Sequence, residues 1–281
     1  MKASGKTKTH RESLLAYYQA FLSPVVGEFS LFVNEFEILK PTLTESVSKR
    51  FIQNPYLAHR TLMIALASQC GIRAHQLLAG NGGLPSVKRD GKTRVPPSLR
   101  LLVHPFLEKN EAEYAKILDR LACDPPERPD LVLHLEDAPV PFAERERLNR
   151  QSKASPETQR QDFLRRVESI REDWIVLEKT REGWDDLRNK VFAHLELVPD
   201  TFEFVYPRRP DKASETLETF HIVLRPSLRD LCQTFELIIP RIGNCFTQLA
   251  FVLVRAHFNF RSMHQQAARA ASVFWKSQGV A

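Results

Sequence analysis

The amino-acid sequence predicts an all-α protein, a bundle of five or six helices that carries one small β-hairpin insertion. Glycine is scarce, with 10 residues among 281, while Leu, Ala, Glu, Lys and Arg, which favour helices, are plentiful. Apolar residues recur at spacings of three and four over several long segments, as on one face of a helix. Only two short segments alternate apolar and polar residues, which is the pattern of a half-buried strand.

Two helices are predicted near the N-terminus. From Leu14 to Phe36 the apolar residues form one stripe, and Pro24 lies inside it, so a kink or a break is expected there. A second helix should cover about Pro55 to Leu78. Its centre, residues 62–67, is apolar on every side and should be deeply buried. A glycine-rich run then ends this helix.

An exposed basic loop is predicted after these glycines. Residues 87–100 contain five Lys or Arg residues against one Asp. We interpret this loop either as an RNA-binding edge or as a solvated loop without a ligand. The candidate RNA contacts in it are Lys88, Arg89, Lys92 and Arg94.

A third helix is predicted near Pro105 to Ala122, and a proline-rich loop follows it. Residues 124–156 contain six prolines and little periodicity. This loop is either a domain boundary or a long excursion within one domain. We predict one elaborated helical domain over residues 11–265 and a basic C-terminal tail over residues 266–281.

A long helix should begin after the proline-rich loop, with Ser155 as its N-cap, Pro156 at the first position and Glu157 in the first turn. An apolar seam with heptad-like spacing follows, which is typical of bundle packing. Gly183 is expected to interrupt this helix, and a shorter helix should run from Trp184 to about Leu197. The seam consists of Phe163, Val167, Ile170, Trp174 and Leu177.

The last third of the chain should contain the β-hairpin and the final long helix. Residues 201–206 and 217–224 alternate apolar and polar residues, which predicts a hairpin within 201–224. Pro226 opens the helix, and Pro240 is expected to kink it. Glu236 is the last acidic residue, and five Lys or Arg residues follow it. The apolar stripe of this helix consists of Leu228, Leu231, Phe235, Ile238, Ile242, Cys245, Phe246, Leu249 and Val252.

Composition excludes several classes of protein. A net charge of +6 and a pI of about 9.2 suit an anionic partner. The longest uncharged apolar run, Ile242–Val254, has 13 residues and is too short to cross a bilayer, and the N-terminus lacks a convincing signal-peptide cleavage site. We therefore expect a cytoplasmic protein without a membrane partner. The four cysteines show no zinc-ligand spacing and no phosphate-binding glycine loop occurs, so no metal and no cofactor is expected.

The run RNKVFAH, residues 188–194, is the segment that can carry chemistry. On a helix Arg188 and His194 are separated by about 9 Å along the axis and by about 120° in rotation. One copy therefore cannot clamp a single phosphate tightly. Two copies related by a two-fold axis could line a shared cleft, so the spacing favours a homodimer.

The same run resembles the signature of the HEPN superfamily, the higher eukaryotes and prokaryotes nucleotide-binding domains. These are helical bundles with an Arg, four to six residues and then a His, commonly with a polar residue just after the Arg, where this chain has Asn189. The resemblance covers about a dozen residues and is nearest in style to the abortive-infection and toxin-type members. It implies a toxin or phage-defence effector, with an antitoxin or regulatory protein as a partner.

The resemblance also implies the chemistry, which is metal-independent cleavage of RNA. His194 would move a proton at neutral pH, and Arg188 would hold the phosphate and offset the charge on its oxygens. Asn189 would orient the Arg or contact the backbone, and Lys190 is a candidate RNA contact. The products would carry a 2′,3′-cyclic phosphate and a 5′-hydroxyl.

Structural explanations for the same residues stay open. Arg128 and His134 have the same spacing in the proline-rich segment, so spacing alone decides nothing. Arg188 has Asp185 three residues before it as an ion-pair partner, and His194 would also suit a half-buried packing position. The alternatives to an enzyme are a non-catalytic helical module that binds nucleic acid or a partner protein, and a regulatory helical protein in which the motif arises by chance.

The acid-free C-terminus also has several interpretations. Its cations could track RNA, contact an acidic antitoxin, or do neither. Its aromatic residues could stack on bases, although packing in the core or in a dimer interface is the more common role. The cations are Arg255, Arg261, Arg269 and Lys276, and the aromatic residues are Phe258, Phe260, Phe274 and Trp275.

Overall fold

The computed structural model of the chain is all-α, as the sequence predicts. It describes residues 4–43, 57–78, 98–107, 154–187, 205–207, 222–224, 228–254 and 256–277, together with the single residues Ala143, Glu146 and Arg150. Six α-helices occupy these ranges: α1 (Ser4–Leu39), α2 (Leu57–Leu78), α3 (Leu99–Leu107), α4 (Pro156–Leu187), α5 (Leu228–Val254) and α6 (Phe260–Ser277). A 3₁₀ turn, Lys40–Leu43, extends α1.

One hydrophobic core joins the six helices, and the predicted stripes build it. Helix α1 packs against α2, α5 and α6, while α5 packs against α4. Every described member of the α4 seam and of the α5 stripe is buried, and Trp174 is the largest fully buried side chain. Phe29, Phe32 and Phe36 of α1 reach the same core. Burial of the apolar stripe of each helix is therefore the main source of stability of the bundle.

Helix α4 begins where the sequence predicts, because Ser155 caps it. The Thr158 backbone N–H donates to the Ser155 Oγ at 3.3 Å, and the Gln159 N–H donates to the Ser155 carbonyl at 3.0 Å. The predicted interruption at Gly183 is wrong, since α4 is continuous to Leu187. A single glycine costs a helix only about 1 kcal/mol relative to alanine, and the buried seam of α4 outweighs that cost.

The prolines inside helices do not break them. Helix α1 is continuous through Pro24, and α5 is continuous through Pro240. A proline in a helix interior costs about 3 kcal/mol, because it removes one hydrogen bond and crowds the preceding turn. In α1 this cost is met by fully buried side chains on both sides of the proline, Leu22 before it and Val25 after it. The predicted break at Pro24 is therefore wrong.

Helix α3 begins earlier than predicted, inside the segment interpreted as a basic loop. Its N-cap is Ser98, a fully buried residue whose Oγ accepts a hydrogen bond from the Leu101 N–H at 3.2 Å. Residues 99 and 100 are therefore helical, and Pro105 lies within the helix and not at its start. A Ser followed directly by a mostly apolar run is a pattern that indicates a helix start. Here the neighbouring prolines and cations favoured the interpretation of this segment as a loop.

Helix α2 matches its predicted position but not its predicted burial. Ala67 is buried, whereas Leu66 is only half-buried and Ala65 is exposed. Helix α2 packs mainly on α1, so one face of it stays in contact with solvent. Arg73 reinforces this contact by donating to both Glu35 carboxylate oxygens, at 2.8 and 3.0 Å, and by pairing with Glu28.

The segment predicted as a basic tail is part of the bundle as far as Ser277. The expected division between residues 265 and 266 falls inside α6, which Asn259 caps by accepting the Ser262 N–H at 3.0 Å. The Trp275 Nε1 donates to the Ile38 carbonyl of α1 at 2.8 Å. One side of α6 is buried through Met263, Ala267, Ala271 and Trp275.

Two three-residue strands fall within residues 201–224, where the sequence predicts the hairpin. Strand β1 (Val205–Pro207) and strand β2 (Ile222–Leu224) pair antiparallel, with Val205 opposite Leu224. The residues between them lie outside the described part of the chain. The hairpin insertion as a whole therefore stays a prediction.

Helix α5 contains one segment, Cys232–Val254, that is long and apolar enough to cross a membrane. It is longer than the uncharged run found in the sequence because it includes Glu236 and Arg241. Within the bundle 56% of its most apolar window is buried. Length and apolar composition are also what the central helix of a helical core requires.

Candidate functional site

The predicted catalytic run begins directly after α4. Helix α4 is described as far as Leu187, and Arg188, Asn189, Lys190 and His194 lie outside the described residues. The cations of the predicted basic loop, Lys88, Arg89, Lys92 and Arg94, also lie outside them, as do Arg128 and His134. The structure therefore describes the helices that lead to these segments, and their geometry defines the frame of the candidate site.

Helices α3 and α4 lie antiparallel, and two side-chain contacts establish this. The Arg171 Nε donates to the Phe106 carbonyl in the last turn of α3 at 2.7 Å. The Arg100 Nη2 lies 3.8 Å from the Glu178 Oε1, near the first turn of α3. The residue of α3 that comes first, Arg100, contacts Glu178, whereas the later residue Phe106 contacts Arg171, which precedes Glu178 in α4. The start of α3 therefore lies toward the C-terminal end of α4.

This arrangement relates the two predicted RNA-contacting segments. The predicted basic loop precedes the start of α3 at Leu99, and the predicted catalytic run follows Leu187 of α4 in the sequence. Glu178, which faces Arg100, is about 14 Å from Leu187 along the helix axis. Both segments are therefore attached at the same end of the antiparallel pair formed by α3 and α4.

A chain of polar side chains fixes α4 against α5, next to the apolar seam. We call it the α4–α5 ladder. Each of its members directly precedes a buried apolar residue in the sequence, which is the signal that sequence reasoning overlooked. The ladder consists of Asp162, Arg166, Ser169 and Asp173 of α4 and Arg241, Asn244 and Gln248 of α5.

The first half of the ladder is centred on Arg166, which is 7% exposed. Its Nε donates to the Asp162 Oδ2 at 2.9 Å, and its Nη1 donates to the Gln248 Oε1 at 2.8 Å. The guanidinium carbon lies 3.8 Å from the centroid of the Phe251 ring, a cation–π geometry. Burial would raise the pKa of Asp162, but hydrogen bonds from Arg166 and Arg165 outweigh burial and lower that pKa below its usual value.

The second half of the ladder converges on Asp173. Arg241 donates to the Asp173 Oδ1 at 2.9 Å, and the Asn244 Nδ2 donates to the Asp173 Oδ2 and to the Ser169 Oγ. The Gln248 Nε2 donates to the Asn244 Oδ1 at 3.0 Å and joins the two halves. Because Asp173 is held by both Arg241 and Asn244, it positions α4 against α5.

The described residues outside this ladder contain no candidate metal site and no exposed thiol. They contain no group of three or more His, Cys, Asp or Glu side chains that could hold a metal ion. Cys70, Cys232 and Cys245 are buried thiols, and burial raises the pKa of each, that of Cys232 to about 12. Such thiols are poor nucleophiles because the thiolate is the reactive form.

His264 of α6 is held in a structural contact. Its Nε2 lies 2.8 Å from the Glu37 Oε1 of α1, and its ring stacks on Phe260 with an interplanar angle of 5°. Among the aromatic residues of the C-terminus, Phe258 and Trp275 are buried and offer no surface for stacking. The expectation that these aromatic residues belong to the core is confirmed for both.

Comparison with known proteins assigns no family to this chain. No family model, no curated protein and no solved structure matches it. The inference of function therefore rests on the run from Arg188 to His194, on the all-α frame and on the distribution of charge.

Proposed function

We propose that the protein is a metal-independent endoribonuclease of the HEPN type, acting on RNA as a homodimer. The observation that carries the proposal is the join between the catalytic run and α4. The run RNKVFAH follows directly on the end of a bundle helix that is anchored by a buried seam and by a polar ladder. The antiparallel α3 supports it, because the basic loop meets the bundle on the same side.

The chemistry follows from the two residue types at the ends of the run. His194 of one copy accepts the proton of a ribose 2′-hydroxyl while that oxygen attacks the adjacent phosphorus. His194 of the second copy donates a proton to the departing 5′-oxygen. Arg188 offsets the negative charge that grows on the non-bridging oxygens, and Asn189 orients Arg188. The bond from phosphorus to the 5′-oxygen breaks, and a 2′,3′-cyclic phosphate and a 5′-hydroxyl result.

This mechanism needs rigid helices next to the active site, because the proposed active site is assembled from two copies of the chain. Catalytic groups must be held within about 0.5 Å of the productive geometry. Helix α4 meets that need through Phe163, Ile170 and Trp174 in the core and through Asp173 in the ladder. A toxin or phage-defence role in the cytoplasm, restrained by an antitoxin or a regulatory protein, is the biological setting that we propose for this activity.

The test is cleavage of a fluorescent RNA by the purified full-length protein in the presence of EDTA. We expect cleavage by the wild type, products that end in a 2′,3′-cyclic phosphate, and a loss of at least about 100-fold in rate for His194→Ala. His134→Ala is the matched control, since His134 belongs to the second Arg and His pair with the same spacing, and it should keep full activity.

Three results would contradict this proposal. Full activity of His194→Ala would show that the run is not the active site. Cleavage of an RNA whose 2′-hydroxyls are all methylated would show that the nucleophile is not the 2′-hydroxyl. Sedimentation of the wild type as a monomer at the concentrations where it cuts RNA would contradict the composite dimer site.

A second candidate function is a non-catalytic helical module that binds nucleic acid or a partner protein. The exposed cations of α6 favour it, because they offer an anionic partner a surface that does not depend on the catalytic run. Binding of RNA by the wild type without any cleavage, under conditions where the protein is folded, would select this function.

A further inference from the structure

The solvent-facing side of α6 concentrates cations. No acidic residue follows Glu236 in the sequence, so α6 contains no Asp or Glu. All three of its Lys and Arg residues are exposed. We call this surface the α6 outer face and define it by Arg261, Gln265, Arg269, Ser272 and Lys276.

The three cations lie on one strip of the helix. At about 100° per residue, Arg261, Arg269 and Lys276 fall within a sector of about 80°. Along the axis Arg261 and Arg269 are about 12 Å apart, and Arg269 and Lys276 are about 10.5 Å apart. These separations exceed the size of one phosphate group, so the strip suits several phosphates of a chain and not one small anion.

The orientation of α6 is fixed by its opposite side. Met263, Ala267, Ala271 and Trp275 are buried, and the Trp275 Nε1 donates to the Ile38 carbonyl. Rotation of α6 that turned the cations inward would expose these residues. The cationic strip is therefore a permanent feature of the folded bundle.

These cations differ from several other arginines of the bundle in having no acidic partner among the described residues. Arg73, Arg165 and Arg241 each form an ion pair with a carboxylate. Within the described part of the chain, no carboxylate lies within ion-pair distance of Arg261, Arg269 or Lys276. Their side chains are exposed, and no described carboxylate compensates their charge.

We propose that the α6 outer face binds the phosphate backbone of RNA, outside the catalytic run, without reading base sequence. This inference rests on the proposed function, which makes RNA the substrate. Between the cations lie Gln265 and Ser272, whose side chains can donate hydrogen bonds to phosphate oxygens. Trp275 is buried, and Phe260 and Phe274 are half-buried, so no Phe or Trp ring of α6 is fully exposed for stacking on bases.

Charge and shape favour RNA over a membrane surface as the occupant. A membrane-binding helix needs a broad apolar face opposite or beside its cations. On the exposed side of α6 the only large apolar side chain among the described residues is Val273, which is 68% exposed. The other apolar side of the helix is already occupied by the bundle core.

The test is binding of a fluorescent, fully 2′-O-methylated RNA of mixed sequence to the full-length protein, followed by fluorescence anisotropy. Methylation prevents attack by the 2′-oxygen, so binding is measured without cleavage. The variant is the triple substitution Arg261→Gln, Arg269→Gln and Lys276→Gln. The matched control is Arg150→Gln, Arg160→Gln and Arg165→Gln, which removes the same charge from exposed positions before and within the first turns of α4.

The salt dependence gives the expected magnitude. Three contacts between cations and phosphates of a single strand contribute about −2 to the slope of the logarithm of the RNA association constant against the logarithm of the salt concentration. The α6 variant should lack this contribution, so its slope should be shallower by about 2. The advantage of the wild type over the variant should then shrink roughly 20-fold between 50 and 200 mM salt. The control variant should keep the wild-type slope, and a uridine homopolymer should bind as well as the mixed sequence.

Three outcomes would overturn the inference. The control variant could lose as much affinity as the α6 variant, which would mean that only net charge matters. The α6 variant could bind RNA as tightly as the wild type, which would mean that the α6 outer face does not contact RNA. If that variant also lost binding to poly-glutamate, the α6 outer face would be a site for an acidic protein. Discrimination of more than about 10-fold between RNA sequences would exclude a backbone contact alone. His194→Ala separates this inference from the proposed function, since it should stop cleavage of unmodified RNA and leave binding of the methylated RNA unchanged.

Discussion

Gly243 of α5 lies directly against the ring of Phe260 at the start of α6. A Cβ atom added to Gly243 would lie 2.6 Å from the Cγ and Cδ2 of Phe260. The ring has little freedom to move away, because it packs between Phe29, at a centroid distance of 5.9 Å, and His264, at 5.6 Å. The absence of a side chain at Gly243 therefore sets how closely α6 approaches the bundle.

Gly243→Ala should destabilise the protein, although Gly→Ala stabilises a protein at a helix position where no atom lies close to the added Cβ. Overpacking against Phe260 should cost about 1–3 kcal/mol, which outweighs a gain of about 1 kcal/mol in helix propensity. Gly27→Ala in α1 is the control, since nothing lies within 4 Å of its added Cβ, and it should stabilise by about 0.5–1 kcal/mol. Urea unfolding followed by circular dichroism measures both, and a stabilised Gly243→Ala would contradict the contact.

Asp173 should be coupled energetically to Asn244 across the ladder. Asp173→Ala leaves Arg241 and Asn244 without their acceptor, and we expect a loss of about 1–3 kcal/mol in the free energy of unfolding. A double-mutant cycle with Asn244→Ala should give a coupling of about 0.5–2 kcal/mol. Glu172→Ala, at the exposed neighbouring position, should change stability by less than about 0.5 kcal/mol, and additive effects of the pair would refute the ladder.

Asp162 should make the protein sensitive to acid. Its pKa is lower in the folded state than the ordinary value of about 3.9, so the charged form stabilises the fold above that value. This contribution disappears as the pH falls through the lower, folded-state pKa. Asp162→Asn should therefore flatten the decline of the urea midpoint below about pH 4. Glu172→Gln is the control for an exposed carboxylate, and an unchanged decline in Asp162→Asn would contradict the ion pair.

The buried thiols should resist modification in the native state. Burial raises the pKa of Cys70, Cys232 and Cys245, so little thiolate forms at pH 8 and access is blocked. A thiol reagent such as DTNB should label at most one cysteine of the native protein, Cys123, and all four in guanidinium chloride. Native Cys123→Ser should show no rapid labelling, and rapid reaction of a second thiol would contradict the buried core.

The sequence predicted features that depend on neighbouring residues. The cap at Ser155, the seam from Phe163 to Leu177 and the stripe of α5 are patterns with the period of a helix, and the structure confirms them. The end of the basic loop was predicted wrongly, and α1 does not break at Pro24, because local preferences of about 3 kcal/mol or less yield to burial in the core. The run from Arg188 to His194 is also a local pattern, so the sequence alone was enough to identify it as a candidate site.

Tertiary structure alone decided which distant residues meet. The contact of Gly243 with Phe260, the pairing of Asp173 with Arg241 and the antiparallel packing of α3 on α4 join residues that no local period relates. The sequence likewise did not determine that the α6 cations face solvent. The contact between Trp275 and α1, on the opposite side of α6, fixes that direction. The physical reason is that periodicity defines which face of a helix is apolar, whereas the packing of all six helices together selects the neighbour of each face.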